Sequence, residues 1–286
     1  MPNIIIHHGA AHKDDFLCAC LLLAKVENAV IFRRMPTAEE MDDANTYVVD
    51  VGGRYEPDRL NFDHHQFPED KENPRCAFTL LLDYFGMLPK ARGAWSWLRA
   101  AEILDCHGPK ALSQVLGIDP KIFRESASPL EAFVIAEFSR RTELSLAGLR
   151  DWLPEIMAEF GGTLIHQLDK FHEEMELLNA EGKVRWIKGV AVLIVPRHEK
   201  GRPISLPAIT RWQENVAPNA GIRIAPDARA QGLSLLRIDD HPRVDFSKIE
   251  GLEDVLFVPK GGWTAKTTTY DRQRCLELCE LAIADK

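Results

Sequence analysis

The sequence predicts an α/β protein: an N-terminal doubly wound, mostly parallel sheet, a helical connector and a smaller C-terminal α+β domain. Three observations carry this expectation. Short β-branched runs alternate with helix-like segments from Asn3 to His65, the pattern turns helical from about Cys76 to Leu178, and strand-like runs return after Gly182. Alternation of strand and helix builds an open parallel sheet covered on both faces. A chain of 286 residues suits two domains, and the boundary is drawn between residues 126 and 127.

The elements follow in order. NIIIHH is a short strand, and DDFLCACLLLAKVE is a helix apolar almost all round, as befits one buried against a sheet. AVIFRR and TYVVDV read as the second and third strands, with TAEEMDDA a short helix or turn between them. VGGRYEPDR supplies turn chemistry before a brief fourth strand, LNFDHH. DWLPEIMAEFGGTLIHQLDKFHEEMELL is a long, partly interrupted helix. VRWIKGVAVLIV, AGIRIAP, LSLLRI and VLFVP read as strands, YDRQRCLELCELAIA as a closing amphipathic helix, and residues 197–219 as a long loop or small excursion.

With 45% hydrophobic and 27% charged residues, the chain has enough apolar content for a sizeable core. A formal net charge of −8 opposes a broad basic face for duplex nucleic acid, but not a small anion held through metal ions. The six cysteines form no CxxC pair, MPNIIIHH lacks a basic secretory n-region, and no apolar run reaches membrane-spanning length. A reduced, cytoplasmic, membrane-free protein is expected.

Three strand ends carry metal-compatible side chains. The first ends in His7 and His8, followed at once by His12, Asp14 and Asp15; the third ends in Asp50; the fourth in Asp63, His64 and His65. Each has an ordinary alternative: Asp14 and Asp15 open a helix and suit capping, Asp50 precedes two glycines and suits a turn, and the histidines suit a polar rim. Open α/β sheets, however, bind ligands beyond the carboxyl ends of their strands, so these termini converge. Imidazole and carboxylate donors without thiolate suit catalytic Mn²⁺, Co²⁺, Fe²⁺ or Zn²⁺, with Mg²⁺ a further candidate. So many donors suggest two ions sharing a carboxylate, for which Asp50 is the best candidate.

HHGAAHKDDFLCACLLL, VVDVGGRYEP and FDHHQ together resemble the melanocyte-proliferating-gene (Myg) family of the DHH phosphoesterase superfamily, which also holds RecJ-type nucleases and manganese-dependent inorganic pyrophosphatases. The resemblance implies a DHH-type catalytic domain over residues 1–126 and, over 127–286, a connector with a substrate-binding α+β domain. It implies two Mn²⁺ ions, with His7, His12 and Asp50 holding one and Asp14, Asp50, His64 and Asp105 (in EILDCHG) the other. His65 would meet the phosphate or assist protonation, with Asp63 orienting a histidine. His8 fits a spacing one residue shorter and competes with His7 for the first ligand position.

The chain departs from the family where a Gly-Gly-His element is expected and Ala265-Lys266-Thr267 stands instead, leaving Lys266 as the candidate substrate contact there. His107 has no family role. Arg33 and Arg34 suit either substrate phosphate or a solvated strand end. The expected function is a two-metal phosphohydrolase, a phosphodiesterase or exonuclease acting on short single-stranded oligonucleotides without extended duplex binding, with homo-oligomerisation open. The alternatives are hydrolysis of pyrophosphate or a dinucleotide, and a non-catalytic metal-binding regulatory role.

Overall fold

The computed structural model describes residues 2–126, 128–147, 151–198, 202–227 and 232–285. Two compact units divide the chain, Met1–Asp169 and Lys170–Lys286. The first contains a six-stranded sheet of β1 (Asn3–Ile6), β2 (Val30–Arg33), β3 (Thr46–Val49), β4 (Tyr55–Glu56), β5 (Asn61–Phe62) and β6 (Glu143–Ser145) in the order β4-β5-β3-β1-β2-β6. β1, β2, β3 and β5 run parallel, while β4 and β6 close the two edges antiparallel.

Its interior follows from the sequence pattern. Ile4, Ile5 and Ile6 are fully buried, and α1 (Lys13–Lys25) is buried from Asp14 to Leu23, which is why no polar face interrupts that helix. α3 (Ala77–Tyr84) packs on α1, whereas Met41 of α2 (Ala38–Met41) packs with Ile5, Val48 and Val51. α4 (Leu88–Ala94), α5 (Leu98–Leu116), α6 (Pro120–Glu125) and α7 (Pro129–Ser139) follow before β6. α8 (Trp152–Glu181) is one continuous helix and is not interrupted at Gly161-Gly162. A side chain at Gly161 would lie 2.0 Å from the Cys20 carbonyl oxygen, so glycine lets α8 approach α1.

The second unit holds a sheet ordered β11-β12-β10-β9-β8-β7, from β7 (Lys183–Ile187), β8 (Val190–Ile194), β9 (Ile222–Pro226), β10 (Leu233–Arg237), β11 (Val255–Phe257) and β12 (Thr264–Thr267). Only the β8–β9 pairing is parallel. Val192, Ile194, Ile222, Ile224 and Leu235 of its strands share a core with Cys275, Leu278 and Cys279 of α10 (Arg272–Ala282).

Two differences from the sequence reading have physical causes. Residues 129–145 join the first unit, past the 126/127 line, because β6 pairs with β2 and α7 packs on α1. Residues 197–219 are not simply a loop: α9 (Leu206–Val216) forms there, opened by Ser205 and Pro207 and burying Ala208, Ile209 and Trp212. Residues 199–201 of that stretch lie outside the described residues.

Candidate metal centre

The parallel register brings the motif residues to one edge. Ile6 pairs with Val49 and Val49 with Phe62, so the residues that follow, His7, Asp50 and Asp63, leave the sheet at the same level. Asp50 turns out of β3 with φ 58°, a left-handed conformation that aspartate tolerates better than most side chains. Gly53, also at positive φ (71°), then donates its amide to Asp63 Oδ2 at 2.7 Å and so ties the β3 turn to the β5 end.

The centre forms around His64. Its Nε2 lies 3.0 Å from Asp50 Oδ1 and 3.2 Å from Asp105 Oδ2, and its Nδ1 lies 3.9 Å from Cys106 Sγ. Asp105 and Cys106 arrive from α5, whose helical path breaks at Gly108 (φ 76°) just before Pro109. His65 Nδ1 meets Asp63 Oδ1 at 2.7 Å and Asp50 Oδ1 at 3.7 Å. The Asp63 carboxylate also accepts the His65 amide, which fixes the ring while its side chain stays 60% exposed. Two sets of donor atoms therefore lie within 4.8 Å of one another: Asp50, His64 and His65, and His64, Asp105 and Cys106.

Other motif residues surround this pair of groups. Asp14 accepts the Phe78 amide at 3.1 Å through Oδ1, and Asp15 accepts the His12 amide at 2.9 Å. His7 Nδ1 is 4.0 Å from Asp15 Oδ2, and the His7 and His12 rings stack at 6.1 Å. His7, His8 and His12 do not join the close donor groups, and the choice between His7 and His8 is not made by those distances. His107, which lacked a role, has Nε2 3.1 Å from the Asp70 carbonyl oxygen. A cleft of about 500 Å³ opens at the centre, lined among others by His12, Asp50, His64, His65, Arg75 and Asp105.

The proposed phosphate arginines are otherwise engaged. Arg33 is buried, donates to the carbonyls of Phe138 (3.2 Å) and Gly9 (3.0 Å), and packs on the Phe138 ring. Arg34 forms a two-pronged pair with Glu40 at 2.8 and 2.6 Å. In the second unit, Lys266 sits on β12 and pairs with the buried Asp227 carboxylate. Sequence reasoning named Asp15 among the strand-end donors without giving it a ligand role, and missed Cys106 and Arg75. The adjacency of Asp15 to Asp14 and of Cys106 to Asp105 was the available signal, but neighbours on a helix do not ordinarily face one point.

Electrostatics make this a site short of positive charge. Burial raises the Asp14 carboxyl well above its usual range, and the charges of Asp105 and Asp50 raise it further. Asp15 is raised by burial and then by Asp50. Burial alone would lower the His64 imidazole, but its bonds to Asp105 and Asp50 prevail and push it up to about 12. Asp63 goes the other way: burial is outweighed by the amides of His65 and Gly53, which hold it below the carboxylate range. Asp14 Oδ2, Asp15 Oδ1 and His7 Nδ1 are buried without a hydrogen-bond partner. Buried acceptors of this kind are costly unless a cation or proton meets them. The residues present therefore fit a divalent ion.

Comparison with known proteins agrees with the motifs. Residues 3–86 match the MYG1_exonuc family model, described as an uncharacterised protein family (UPF0160). That match covers less than a third of the chain. The chain is similar to MYG1 exonuclease from Rattus norvegicus, at 47% identity over 68 residues, 23% of this chain and 17% of that protein. The Bos taurus protein of the same name is 35% identical over 119 residues, 41% of this chain and 28% of the relative. The matched stretches thus span less than a third of those relatives' own length. Among solved structures, the pGpG-specific phosphodiesterase PggH from Vibrio cholerae shares 13% identity over 98% of this chain and 99% of its own, with a TM-score of 0.31. The DHH domain of a member of the s1p family of ribosomal proteins shares 16% over 97% of this chain and 85% of its own, with a TM-score of 0.32. The segment matched by the family model contains every motif residue from His7 to His65, whereas Asp105 and Cys106 lie beyond it.

Proposed function

We propose that this chain is a divalent-metal-dependent phosphohydrolase that removes nucleotides from the ends of short single-stranded oligonucleotides. The observation that carries the reading is the convergence of Asp50, His64 and Asp105, with the buried, donor-less acceptors of Asp14 and Asp15 beside them. Asp50, His64, Asp105 and Asp14 would hold divalent metal, with His7 and His12 at the flank serving a second ion. Such ions, when bound, supply Lewis acidity toward a phosphate ester and acidify water.

The remaining work falls to the chain itself. His65 is held by Asp63 through Nδ1, which leaves Nε2 to face a phosphoryl oxygen or to give a proton to the leaving oxygen. Asp63 is a positioning residue that fixes the imidazole's orientation. Arg75 lines the cleft and is the phosphate contact in this reading, in place of Arg33 and Arg34, whose guanidinium groups serve the fold. A cleft of about 500 Å³ suits one or two nucleotides and not a duplex. The name of the Myg relatives supports an exonucleolytic ester as substrate.

The test is a hydrolysis panel with protein reconstituted in Mn²⁺, Co²⁺ or Zn²⁺, covering pyrophosphate, dinucleotides, and short RNA and DNA strands. Release of mononucleotides from single strands, lost on chelation and restored by metal, is expected. Rapid pyrophosphate turnover with inert oligonucleotides would replace this reading with a small-molecule one.

A further inference from the structure

We infer that Cys106 is a metal ligand, and that it gives the His64–Asp105 side of the centre a preference for thiophilic ions such as Zn²⁺ and Co²⁺ over Mn²⁺. This rests on the metal-dependent reading above and deepens it, since imidazole and carboxylate donors alone carry no such preference.

The geometry supports a thiolate donor. His64, Asp105 and Cys106 each present one ligating atom, and these atoms lie within 4.8 Å of one another. Sγ stands 3.9 Å from His64 Nδ1. Asp105 Oδ2 lies 3.2 Å from the other ring nitrogen, Nε2, so the grouping of the three donors within 4.8 Å, and not the Nδ1 distance, carries the placement. Cys106 is also distinct from the other five cysteines: Cys18, Cys20, Cys76, Cys275 and Cys279 are buried, whereas Cys106 is partly exposed and lines the cleft. Asp105 and Cys106, adjacent in sequence, both approach His64 because they face its two different ring nitrogens, Nε2 and Nδ1. The centre also has the charge deficit to accept a metal with an added anionic ligand, because Asp14 and Asp15 each keep a buried oxygen without a donor. On binding, the Cys106 S–H bond breaks, an S–metal bond forms, and the proton leaves to solvent.

The test compares wild type with Cys106→Ser, the protein freed of metal and then loaded with Co²⁺. Bound ion is counted by elemental analysis and the near-ultraviolet absorption is recorded. Wild type should show thiolate-to-Co²⁺ charge transfer, and Cys106→Ser should bind Co²⁺ without it. The preference for Zn²⁺ over Mn²⁺ in competition should fall by about tenfold or more in the variant. A second measurement needs only wild type: saturating Zn²⁺ should protect Cys106 from alkylation, as read by peptide mass spectrometry. Co²⁺ bound equally by both proteins with the same spectrum, or Cys106 alkylated as fast with Zn²⁺ as without, would overturn the assignment and leave the metal-dependent reading standing. Failure of both proteins to bind any divalent ion would overturn both.

Discussion

At the scale of single residues, the proposed roles separate groups that would hold a metal ion from one that would face substrate. Asp50 lies within 3.0 Å of His64 and 3.7 Å of His65, so its carboxylate is tied to both imidazoles, one of which, His64, is shared by the two donor groups. Asp50→Asn should strip most of the bound metal and lower turnover by at least about 100-fold, the scale on which ligand-supporting carboxylates act. His65, more exposed and held through Asp63, should behave differently. His65→Ala is expected to keep its metal within experimental error while kcat falls by roughly 10²–10⁴. Elemental analysis beside steady-state kinetics decides between these roles, and a His65→Ala protein emptied of metal would reverse them.

At the scale of elements, the parallel strands were legible and the edges were not. β1, β2 and β3 declare themselves through NIII, VIFR and TYVV, and their shared direction made the convergence of His7, Asp50 and Asp63 readable from sequence. β6 is three residues, ELS, with one buried side chain, too short for alternation to register. α9 begins in Ser-Leu-Pro, which reads as loop until Trp212 and Ile209 are seen buried. Cys106 was hidden for another reason: a thiol beside a ligand on a helix ordinarily points elsewhere, and here it faces the other nitrogen of the ring that Asp105 meets. The arginine pair illustrates the limit of reading charge alone, since Arg33 is directed inward to Phe138 and Gly9. Arg33→Ala should therefore cost about 2–3 kcal/mol in urea unfolding, with buried carbonyls left without a donor. A stability change within experimental error would show that water replaces the guanidinium there.

At the scale of the molecule, two units with separate sheets and a net charge of −8 predict localised responses. Divalent metal should raise hydrogen-exchange protection in β3, β5 and α5, where the donors originate, and leave β8, β9 and β10 little changed. Ligand binding stabilises only the states it binds, so protection spread evenly over both units would argue against a centre confined to the first. The acidic balance and the small cleft also imply few phosphate contacts. Affinity for single strands should fall with log salt at about −0.7 per phosphate, giving a total slope no steeper than about −3 if four or fewer are held. Steep salt dependence in fluorescence-anisotropy titrations, or tight duplex binding, would refute a short-substrate enzyme.

The break in α5 has one more consequence. Pro109 has no amide hydrogen, so the main-chain carbonyl of Asp105, four residues earlier, lacks its helical donor. The segment from Leu98 to His107 consequently ends with its negative dipole pole beside the Asp105 carboxylate. The backbone itself thus adds a fraction of negative charge where the side chains already gather a cation. Gly108→Ala with Pro109→Ala, which favours an unbroken helix, should weaken divalent-ion affinity by about 0.3–1 kcal/mol in isothermal titration even though every ligating side chain is retained.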